Sequence, residues 1–514
     1  MNGLTRREWI AGAAAPLFVR HAWAADVPRF AHGIASGQPQ ATRVVLWTML
    51  TGNELPAEVK VQWELAEDEA FTRIAVRGEE LARADDLHSV HAEPTGLQPA
   101  RAYFYRFRAL GQQSTTGRTR TAPAPDAVVA RLDFSIASCQ RWDSGHWAAW
   151  RDVAAQPPEL VLFLGDYIYE YGHNQTGSDA PRRHEGGKVR TLAEYRARYA
   201  QYKSDPALQA AHTVAPWLLV WDDHEVDNDY AGVQGQDLQV AFAAQRAAAY
   251  QAYWEFMPLP KSARPVDGAM RMHGRLDWGR LARIHLLDDR QMRDVQVCPS
   301  PARGGGSNTV RLAECPSLVD PKRTLLGAEQ ERWLAEGWSL DRPWNLLAQQ
   351  TLIARCNQED PAGGKGREGG RYWTDGWDGY PAARERLLAV VAERKVPGVV
   401  ALGGDVHANY VADLKPGGYA AWDDPKTPVI ASEFCGTSIS SLGLPPERMD
   451  VFRKLNPHLH HARSDQRGTM RFTLDAKSLQ AELRVVQDAR DPASAMAVQG
   501  RYAVEAGKPG PQKA

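Results

Sequence analysis

Four short runs of apolar residues form the most informative pattern in the chain, because each run stops abruptly at polar sequence. The runs lie at residues 134–137, 160–164, 217–221 and 399–402. Uninterrupted apolar runs of this length predict strands that are buried on both faces of a sheet. In open α/β sheets the ligand site lies beyond the carboxyl ends of such strands. We therefore expect a functional site where these four strands end.

A side chain of a metal-binding type follows each run within a few residues. The set contains a thiol, a phenol, an imidazole and three carboxylates: Cys139, Asp166, Tyr169, Asp223, Asp405 and His407. Thiolate, phenolate and imidazole favour a transition metal, whereas clustered carboxylates favour a hard divalent cation such as Ca²⁺ or Mn²⁺. A central carboxylate can bridge two cations about 3.5–4 Å apart, the separation used for in-line phosphoryl transfer. The sequence therefore predicts a heterometallic site.

The first part of the chain has a different pattern. Short strands are predicted at 44–47, 59–65 and 103–107, the last two with alternating apolar and polar residues. They indicate a small Ig/fibronectin-like β-sandwich over residues 27–123, which ends in a connector rich in proline and alanine. This domain contains no catalytic set, so we expect it to pack against the site or shape it.

The larger part of the chain, over residues 128–490, alternates strands, loops and helices and predicts an α/β catalytic domain. Helical spacing is found at 191–208, 238–254, 327–338 and 381–394. A hairpin is expected from 470–474 and 479–486, and a disordered polar tail over 507–514.

Composition limits the partners of the protein. Its 514 residues leave room for two or three domains and a substantial core. The 61 basic and 62 acidic side chains give a net charge of -1, which does not favour nucleic acid or an anionic membrane surface as a partner. No apolar run approaches the ~18 residues of a membrane span, so we expect a soluble exported protein.

The first 24 residues are expected to be a targeting signal rather than part of the fold. Arg6 and Arg7 precede a mildly apolar stretch, and residues 22–24 offer an A-x-A cleavage site. The paired arginines indicate the twin-arginine export machinery, with a general secretory signal as the alternative. Either route places the mature protein in the periplasm or outside the cell.

Longer motifs, in order along almost the whole chain, resemble those of PhoD-type alkaline phosphatases. They are SCQ at 138–140, GDYIYE at 165–170, WDDHEVDND at 221–229, LDDRQMRD at 287–294, WDGYP at 377–381, GGDVHAN at 403–409 and NPHLHH at 456–461. These enzymes are relatives of purple acid phosphatases and other calcineurin-like metallophosphoesterases. The resemblance implies an α/β fold with a metallophosphoesterase-type β-sandwich core flanked by helices, and a site of one Fe³⁺ with Ca²⁺ ions.

The resemblance also implies the iron ligands. Asp166 would bridge the metals, and Cys139, Tyr169 and His407 would complete the iron shell. Tyr167 is the better candidate for core packing, because it need not share a side with Asp166. The wider superfamily has Asp-x-His where this chain has Cys139-Gln140, a departure that argues against carrying over a plain His-rich two-metal scheme.

Calcium is expected to face Asp223 and Asp405, with Asn228 as a weaker candidate. His224 would contact the substrate phosphate or the leaving group. Asp222 either binds metal or holds His224 in place. The wider superfamily has Gly-Asn-His-Glu where this chain has Asp-Asp-His-Glu.

The expected reaction is the hydrolysis of an exposed phosphate ester, with monoesters and diesters both compatible. The Fe³⁺ and Ca²⁺ ions would neutralise phosphoryl charge and activate water or oxide for in-line attack. Arg290 and Arg293 are candidates to fork onto phosphate oxygens, and Arg290 to assist catalysis. The alternative is that they form surface salt bridges with Asp288, Asp289 and Asp294.

Other residues have structural interpretations. Cys298 and Cys315 are close enough in an exported chain to form a disulfide, which we prefer to metal binding. We expect Cys356 and Cys435 to be buried thiols. The histidines of 456–461 are either hydrogen-bonded loop residues or substrate contacts.

Two classes of protein compete with the hydrolase. A non-catalytic exported protein that binds calcium or phosphate would need the acidic residues but not Cys139, Tyr169 or His224. A redox iron protein would need an electron path, and the sequence supplies no second cofactor.

Overall fold

The computed structural model describes residues 29–172, 179–238, 241–301, 304–359 and 370–514. The signal expected over residues 1–24 lies outside these ranges and stays a prediction. Within the described ranges the strands form sheets of ten, seven, five and two strands. No helix in these ranges is both long enough and apolar enough to cross a membrane.

The first strands in chain order are β1 (Ile34–Gly37), β2 (Val45–Met49), β3 (Glu58–Ala66), β4 (Ile74–Arg83), β5 (Ser89–Ala92), β6 (Ala102–Ala109), β7 (Gln112–Gln113), β8 (Gly117–Arg120), β9 (Arg131–Ala137), β10 (Leu160–Leu164), β11 (Trp217–Val220) and β12 (Gly274–Trp278). They are followed by β13 (Ala282–Leu286), β14 (Thr309–Arg311), β15 (Trp344–Ala348), β16 (Arg371–Trp373), β17 (Val399–Gly403), β18 (Asn409–Leu414), β19 (Ala431–Cys435), β20 (Leu459–Arg463), β21 (Arg467–Asp475), β22 (Ser478–Val486), β23 (Met496–Glu505) and β24 (Lys508–Lys513). The α-helices are α1 (Ala148–Ala155), α2 (Leu192–Lys203), α3 (Pro206–Val214), α4 (Phe242–Phe256), α5 (Gly327–Gly337), α6 (Pro381–Glu393) and α7 (Pro446–Leu455).

The ten-stranded sheet holds three of the four predicted strands side by side. Its order is β24-β23-β22-β21-β9-β10-β11-β1-β2-β5. Strands β9, β10 and β11 are parallel, so their carboxyl ends share one edge. The fourth predicted strand, β17, lies inside the seven-stranded sheet, whose order is β12-β13-β15-β17-β19-β18-β20. All four apolar runs are therefore strands, as predicted.

The two large sheets pack face to face around the main hydrophobic core. Phe472 of β21 stacks on Phe134 of β9 with ring centroids 4.8 Å apart. Phe472 also makes an edge-to-face contact at 5.4 Å with Phe434 of β19 in the other sheet. Helices α1 to α4 pack on the first sheet, and α5 to α7 on the second. This confirms the predicted α/β fold with a β-sandwich core flanked by helices.

The predicted small β-sandwich is present, but one of its sheets belongs to the larger domain. Strands β3, β4, β6, β7 and β8 form one sheet, and β1, β2 and β5 pack on it around a separate core. Strand β1 runs parallel to β11 at the pair Gly37 and Trp217, so this second sheet continues into the ten-stranded sheet. A Cβ on Gly37 would lie 2.5 Å from the carbonyl oxygen of Pro258, so the close approach requires glycine.

Helices α4, α5 and α6 lie where the sequence predicted helices. The segment 191–208 was predicted as one helix, but in the structure α2 ends at Lys203 and a second helix, α3, begins at Pro206. Asp205 caps α3 by accepting from the backbone N–H groups of its first turn, at 2.9 and 3.1 Å. Pro206 occupies the first position of α3 and cannot continue α2.

The predicted terminal hairpin is confirmed as β21 and β22. The prediction of a disordered tail over 507–514 is wrong, because β24 pairs with β23. The N–H of Gly510 also donates to Oγ of Ser432 at 2.9 Å. Main-chain hydrogen bonds order this segment in spite of its polar composition.

Cys298 and Cys315 form the predicted disulfide. The bond lies beside the two-stranded ribbon of β14 and β16. Cys315 and Tyr372 of β16 share a small hydrophobic core on one side of this ribbon.

Candidate active site

The turn after β10 places Asp166 at the edge shared by the parallel strands. Gly165 has a φ of 102° and Asp166 a φ of 60°. A Cβ on Gly165 would lie 2.4 Å from Cβ of Asp222, so this turn lies directly against the loop after β11. Cys139 and His407 also have positive φ, at 59° and 51°. Non-glycine residues in this strained conformation cluster at functional sites.

One buried carboxylate, Glu225, joins the loops after β10 and β11. Its oxygens accept from the backbone N–H groups of Asp166 at 3.1 Å, Tyr167 at 2.5 Å and Asp222 at 2.9 Å. Burial raises the pKa of Glu225 to about 7 in spite of these donors. Glu225 stands in the same polar run as Asp223, but its hydrogen bonds to both loops were not expected from the sequence.

The predicted thiol, phenol and imidazole converge on Asp166. One ligand atom from each of Cys139, Asp166 and His407 lies within 4.8 Å of the others. The hydroxyl of Tyr169 donates to Oδ2 of Asp166 at 2.6 Å and lies 3.2 Å from Nε2 of His407. Tyr167 lies instead in the main hydrophobic core, as predicted.

A second cluster of ligand types shares Asp166. Ligand atoms of Asp166, Asp223 and His224 also lie within 4.8 Å of one another. Asp166 therefore belongs to both clusters and occupies the position expected of a bridging carboxylate. A third cluster contains Asp223, Asp229 and Asp375. No role was expected for Asp229 or Asp375, and no apolar strand precedes Asp375 to mark it.

Hydrogen bonds to the backbone and to a hydroxyl orient these ligands. Nδ1 of His407 donates to the carbonyl oxygen of Leu442 at 2.8 Å, which leaves the lone pair of Nε2 for the cluster. Burial lowers the pKa of His407 to about 3, so the imidazole is neutral, as a metal ligand must be. Oγ of Ser441 donates to the carbonyl of Cys139 at 2.8 Å and lies 2.7 Å from the hydroxyl of Tyr169.

His224 is oriented by Glu170. Its Nδ1 lies 2.7 Å from Oε2 of Glu170, and its ring stacks on Tyr169 with centroids 4.0 Å apart. Burial disfavours the charged imidazole, but Glu170, Asp166 and Asp223 outweigh it and raise the pKa of His224 well above its usual value. These carboxylates therefore favour the protonated form of His224. Glu170 belongs to the motif GDYIYE at 165–170, but no role was expected for it from the sequence.

A cleft of about 440 Å³ opens beside the clusters. Asp405, His407 and Asn228 line it, and Oδ1 of Asn228 accepts from the hydroxyl of Tyr171 at 2.7 Å. The histidines of 456–461 do not line the cleft and are hydrogen-bonded elsewhere, which was one of the two expectations for them.

Arg290 and Arg293 are buried and bound to carboxylates, an arrangement that does not favour the expected fork onto phosphate, which stays a prediction. Nε of Arg290 donates to Asp222 and Nη1 to Asp375 at 2.6 Å, so Asp222 pairs with Arg290, whereas the ring of His224 pairs with Glu170. Nη2 of Arg293 donates to Asp375 at 2.7 Å, and both of its terminal nitrogens donate to backbone carbonyls. Neither arginine lines the cleft. The alternative of surface salt bridges is wrong, because both side chains are 1% exposed.

Buried acidic groups dominate the charge at the site. Burial raises the pKa values of the Asp166 carboxyl, the Cys139 thiol and the Tyr169 phenol well above their usual ranges. Burial also raises the pKa of Asp405 to about 8, although Nη2 of Arg290 lies 3.8 Å away. A bound cation offsets such burial and favours deprotonated ligands. The donor set fits a transition metal beside a hard divalent cation.

The fold and the site are those of the metal-dependent phosphatases, with candidate ligand residues at the carboxyl ends of strands from two facing sheets. The chain belongs to the PhoD-like phosphatase family, as its motifs predicted. The profile of that family matches residues 134–483, and the profile of the family's N-terminal domain matches residues 14–123.

The chain is similar to alkaline phosphatase D of Bacillus subtilis (strain 168). The two are 38% identical over 499 residues, which span 94% of this chain and 82% of that protein. A solved structure described as that of PhoD is also 38% identical, with a TM-score of 0.86, and the match covers 94% of this chain and 92% of that one.

Proposed function

We propose that this protein is an exported alkaline phosphatase that hydrolyses phosphate monoesters and diesters at a site holding Fe³⁺ and Ca²⁺. One observation carries the proposal: Asp166 lies beside the Cys139, Tyr169 and His407 donors and also beside Asp223. A carboxylate in that position can join two cations of different kinds, the arrangement that metal-assisted phosphoryl transfer uses.

The proposed ligands divide by their chemistry. The thiolate, phenolate and imidazole donors proposed for Fe³⁺ are Cys139, Tyr169 and His407. The oxygen donors proposed for Ca²⁺ are Asp223, Asp405 and Asn228. Bound cations of these kinds supply charge neutralisation at the phosphoryl oxygens and activate water.

His224 is proposed to give a proton to the leaving alcohol. Glu170 holds Nδ1, so Nε2 remains to face the substrate in the cleft. Against the effect of burial, the carboxylate of Glu170 raises the pKa of His224 above its usual value, which favours the protonated imidazole that an acid catalyst needs.

Arg290 is proposed to position ligands rather than to contact substrate. Its Nη2 lies 3.8 Å from Oδ1 of Asp223 and 3.8 Å from Oδ1 of Asp405. Its other two nitrogens are bound to Asp222 and Asp375. The guanidinium thus balances part of the negative charge of the carboxylates that are proposed for calcium.

Export through the twin-arginine machinery, to the periplasm or the exterior, is also proposed. Arg6 and Arg7 support it from the sequence. The disulfide between Cys298 and Cys315 fits an oxidising compartment.

Purified protein should be assayed with p-nitrophenyl phosphate and bis-p-nitrophenyl phosphate, before and after calcium chelation, with metal analysis of the same sample. We expect both esters to be hydrolysed, activity to fall on chelation and to return with calcium, and iron to be present. A non-catalytic exported binder is the second candidate, and the pairing of His224 with Glu170 argues against it. Protein that binds calcium but hydrolyses neither ester would support the binder.

A further inference from the structure

The cleft beside the metal-ligand residues has apolar walls beyond its acidic end. Leucine and aromatic side chains contribute most of these walls. They include Leu352, Trp373, Trp377, Tyr410, Leu442 and Leu444. The phosphoryl group of a substrate belongs at the acidic end, so the walls face the position of the leaving alcohol.

The inner wall is preformed, because it is a surface of the hydrophobic core behind the seven-stranded sheet. Leu352, Trp377 and Tyr410 are buried members of that core. Nε1 of Trp377 donates to Oε1 of Gln349 at 3.0 Å, which fixes the indole. Because this wall is already ordered, substrate binding does not carry the entropy cost of ordering its side chains.

The outer wall comes from two sides. Tyr372 packs into the small core beside the disulfide, so the next residue of β16, Trp373, points to the opposite face and lines the cleft. Leu442 is 71% exposed and Leu444 is 48% exposed, and both line the cleft as well. Two leucines exposed at the mouth of a cleft are available to an apolar ligand.

The cleft offers no positive side chain to a second anionic group. Among the described residues that line it, none is lysine or arginine. The polar residues of the walls are Thr309, Thr351, Gln358 and Asp378, and the carboxylate of Asp378 already accepts from Arg384 and from the N–H of Cys356. Over the larger, apolar part of the walls, the hydroxyl groups of a sugar or of glycerol would lose hydrogen bonds to water. The walls therefore favour alcohols without polar substituents.

We propose that this cleft selects phosphate esters of apolar alcohols, alkyl or aromatic, over esters of sugars or glycerol. The proposal rests on the hydrolase function proposed above. Each methylene buried against the walls raises kcat/KM by up to about fourfold, until the cleft is filled.

A series of n-alkyl phosphates, from methyl to hexyl, tests the proposal with the purified metal-loaded enzyme. The basicity of the leaving alcohol changes little along this series, so the slope of kcat/KM reports contact with the cleft. We expect a rise of about two- to fourfold per methylene. Propyl phosphate should exceed glycerol 1-phosphate, which has the same carbon chain, by about tenfold or more.

Trp373→Ala and Leu442→Ser should each make the slope shallower. Leu340→Ser is the matched control, because Leu340 is 56% exposed but lies outside the cleft. Equal kcat/KM along the series, or a preference for glycerol 1-phosphate, would overturn the proposal. Failure to hydrolyse any of the esters would instead refute the proposed function. If Trp373→Ala does not fold, Leu442→Ser at its exposed position provides the same comparison.

Discussion

The hydroxyl of Tyr169 donates to Oδ2 of Asp166 across 2.6 Å. This contact places a phenol oxygen beside the carboxylate that both ligand clusters share. Tyr167, two residues earlier, lies in the core and contacts His212 at 2.8 Å. The two tyrosines of one short turn therefore have different environments, and each provides a control for the other.

Tyr169→Phe is expected to remove a visible absorption band of the iron-loaded protein and to lower activity. The reason is that a phenolate bound to Fe³⁺ absorbs visible light and a phenyl ring cannot bind the metal. Tyr167→Phe should keep the band. Absorption spectra of samples with measured iron content provide the test. An iron-replete Tyr169→Phe protein with the wild-type band would contradict the ligand assignment.

Glu170→Gln is expected to weaken proton donation by His224, because the carboxylate that orients Nδ1 and raises the pKa is lost. For an alkyl phosphate, whose leaving alcohol is strongly basic, kcat should fall about 100-fold. For p-nitrophenyl phosphate, whose leaving phenol is acidic, kcat should fall by less than about tenfold. Steady-state kinetics with both esters distinguish a loss of proton donation from a general loss of activity. Equal losses would mean that Glu170 only supports the fold.

Gly165→Ala is expected to destabilise the protein by about 3 kcal/mol or more, from backbone strain and steric overlap together. The added Cβ would lie 2.4 Å from Asp222, at a φ of 102°. Gly187→Ala is the control, since a Cβ there has no neighbour within 4 Å. Urea denaturation measures the free energy of unfolding. A Gly165→Ala protein as stable as the wild type would show that the turn is not held against β11.

Asp143→Asn is expected to destabilise the protein in a pH-dependent way. Asp143 accepts from Nε of Arg141 at 2.7 Å and lies 3.4 Å from Nδ1 of His184. Burial opposes ionisation of Asp143, but His184 and Arg141 outweigh it and hold its pKa below the usual range. Because the folded pKa lies below the unfolded value, the stabilisation is present at neutral pH and is lost as the pH falls below about 4.

Urea denaturation of the wild type and of Asp143→Asn at several pH values provides the measurement. The difference in the free energy of unfolding should be largest at neutral pH and should shrink as the solution becomes acidic. A difference that stays constant with pH would contradict the ionised state of Asp143.

Much of the site could be predicted because the strands that carry it have a clear pattern. Residues 160–164 are β10 itself, since a buried strand needs unbroken apolar side chains. Parallel strands bring their carboxyl ends to one edge, so the ligand types after them could be expected to converge. The side chains that hold these ligands in place by hydrogen bonds and ion pairs could not be predicted in this way. Arg290 meets Asp375 across 85 residues of sequence, between two loops.

The joining of the two domains also left no signal in the sequence. The sheets connect at the pair Gly37 and Trp217. The close approach there requires glycine at position 37, but a glycine at the end of a strand does not by itself indicate which strand lies beside it. The terminal strand β24 was missed because its stability comes from main-chain pairing with β23 rather than from apolar side chains. The pattern of hydrophobic residues indicates which side chains are buried, but it does not indicate which strand edge a polar segment pairs with.

Asp166 is proposed to hold two kinds of cation at once, and Asp166→Asn tests this directly because it removes charge with little change in shape. Iron, calcium and p-nitrophenyl phosphate hydrolysis should be measured in the same preparation. Asp413→Asn is the control, since Asp413 pairs with His460 outside the cleft. We predict that Asp166→Asn loses bound metal and at least about 100-fold in kcat, while the control keeps both. Wild-type activity with normal iron and calcium in Asp166→Asn would contradict the proposed centre.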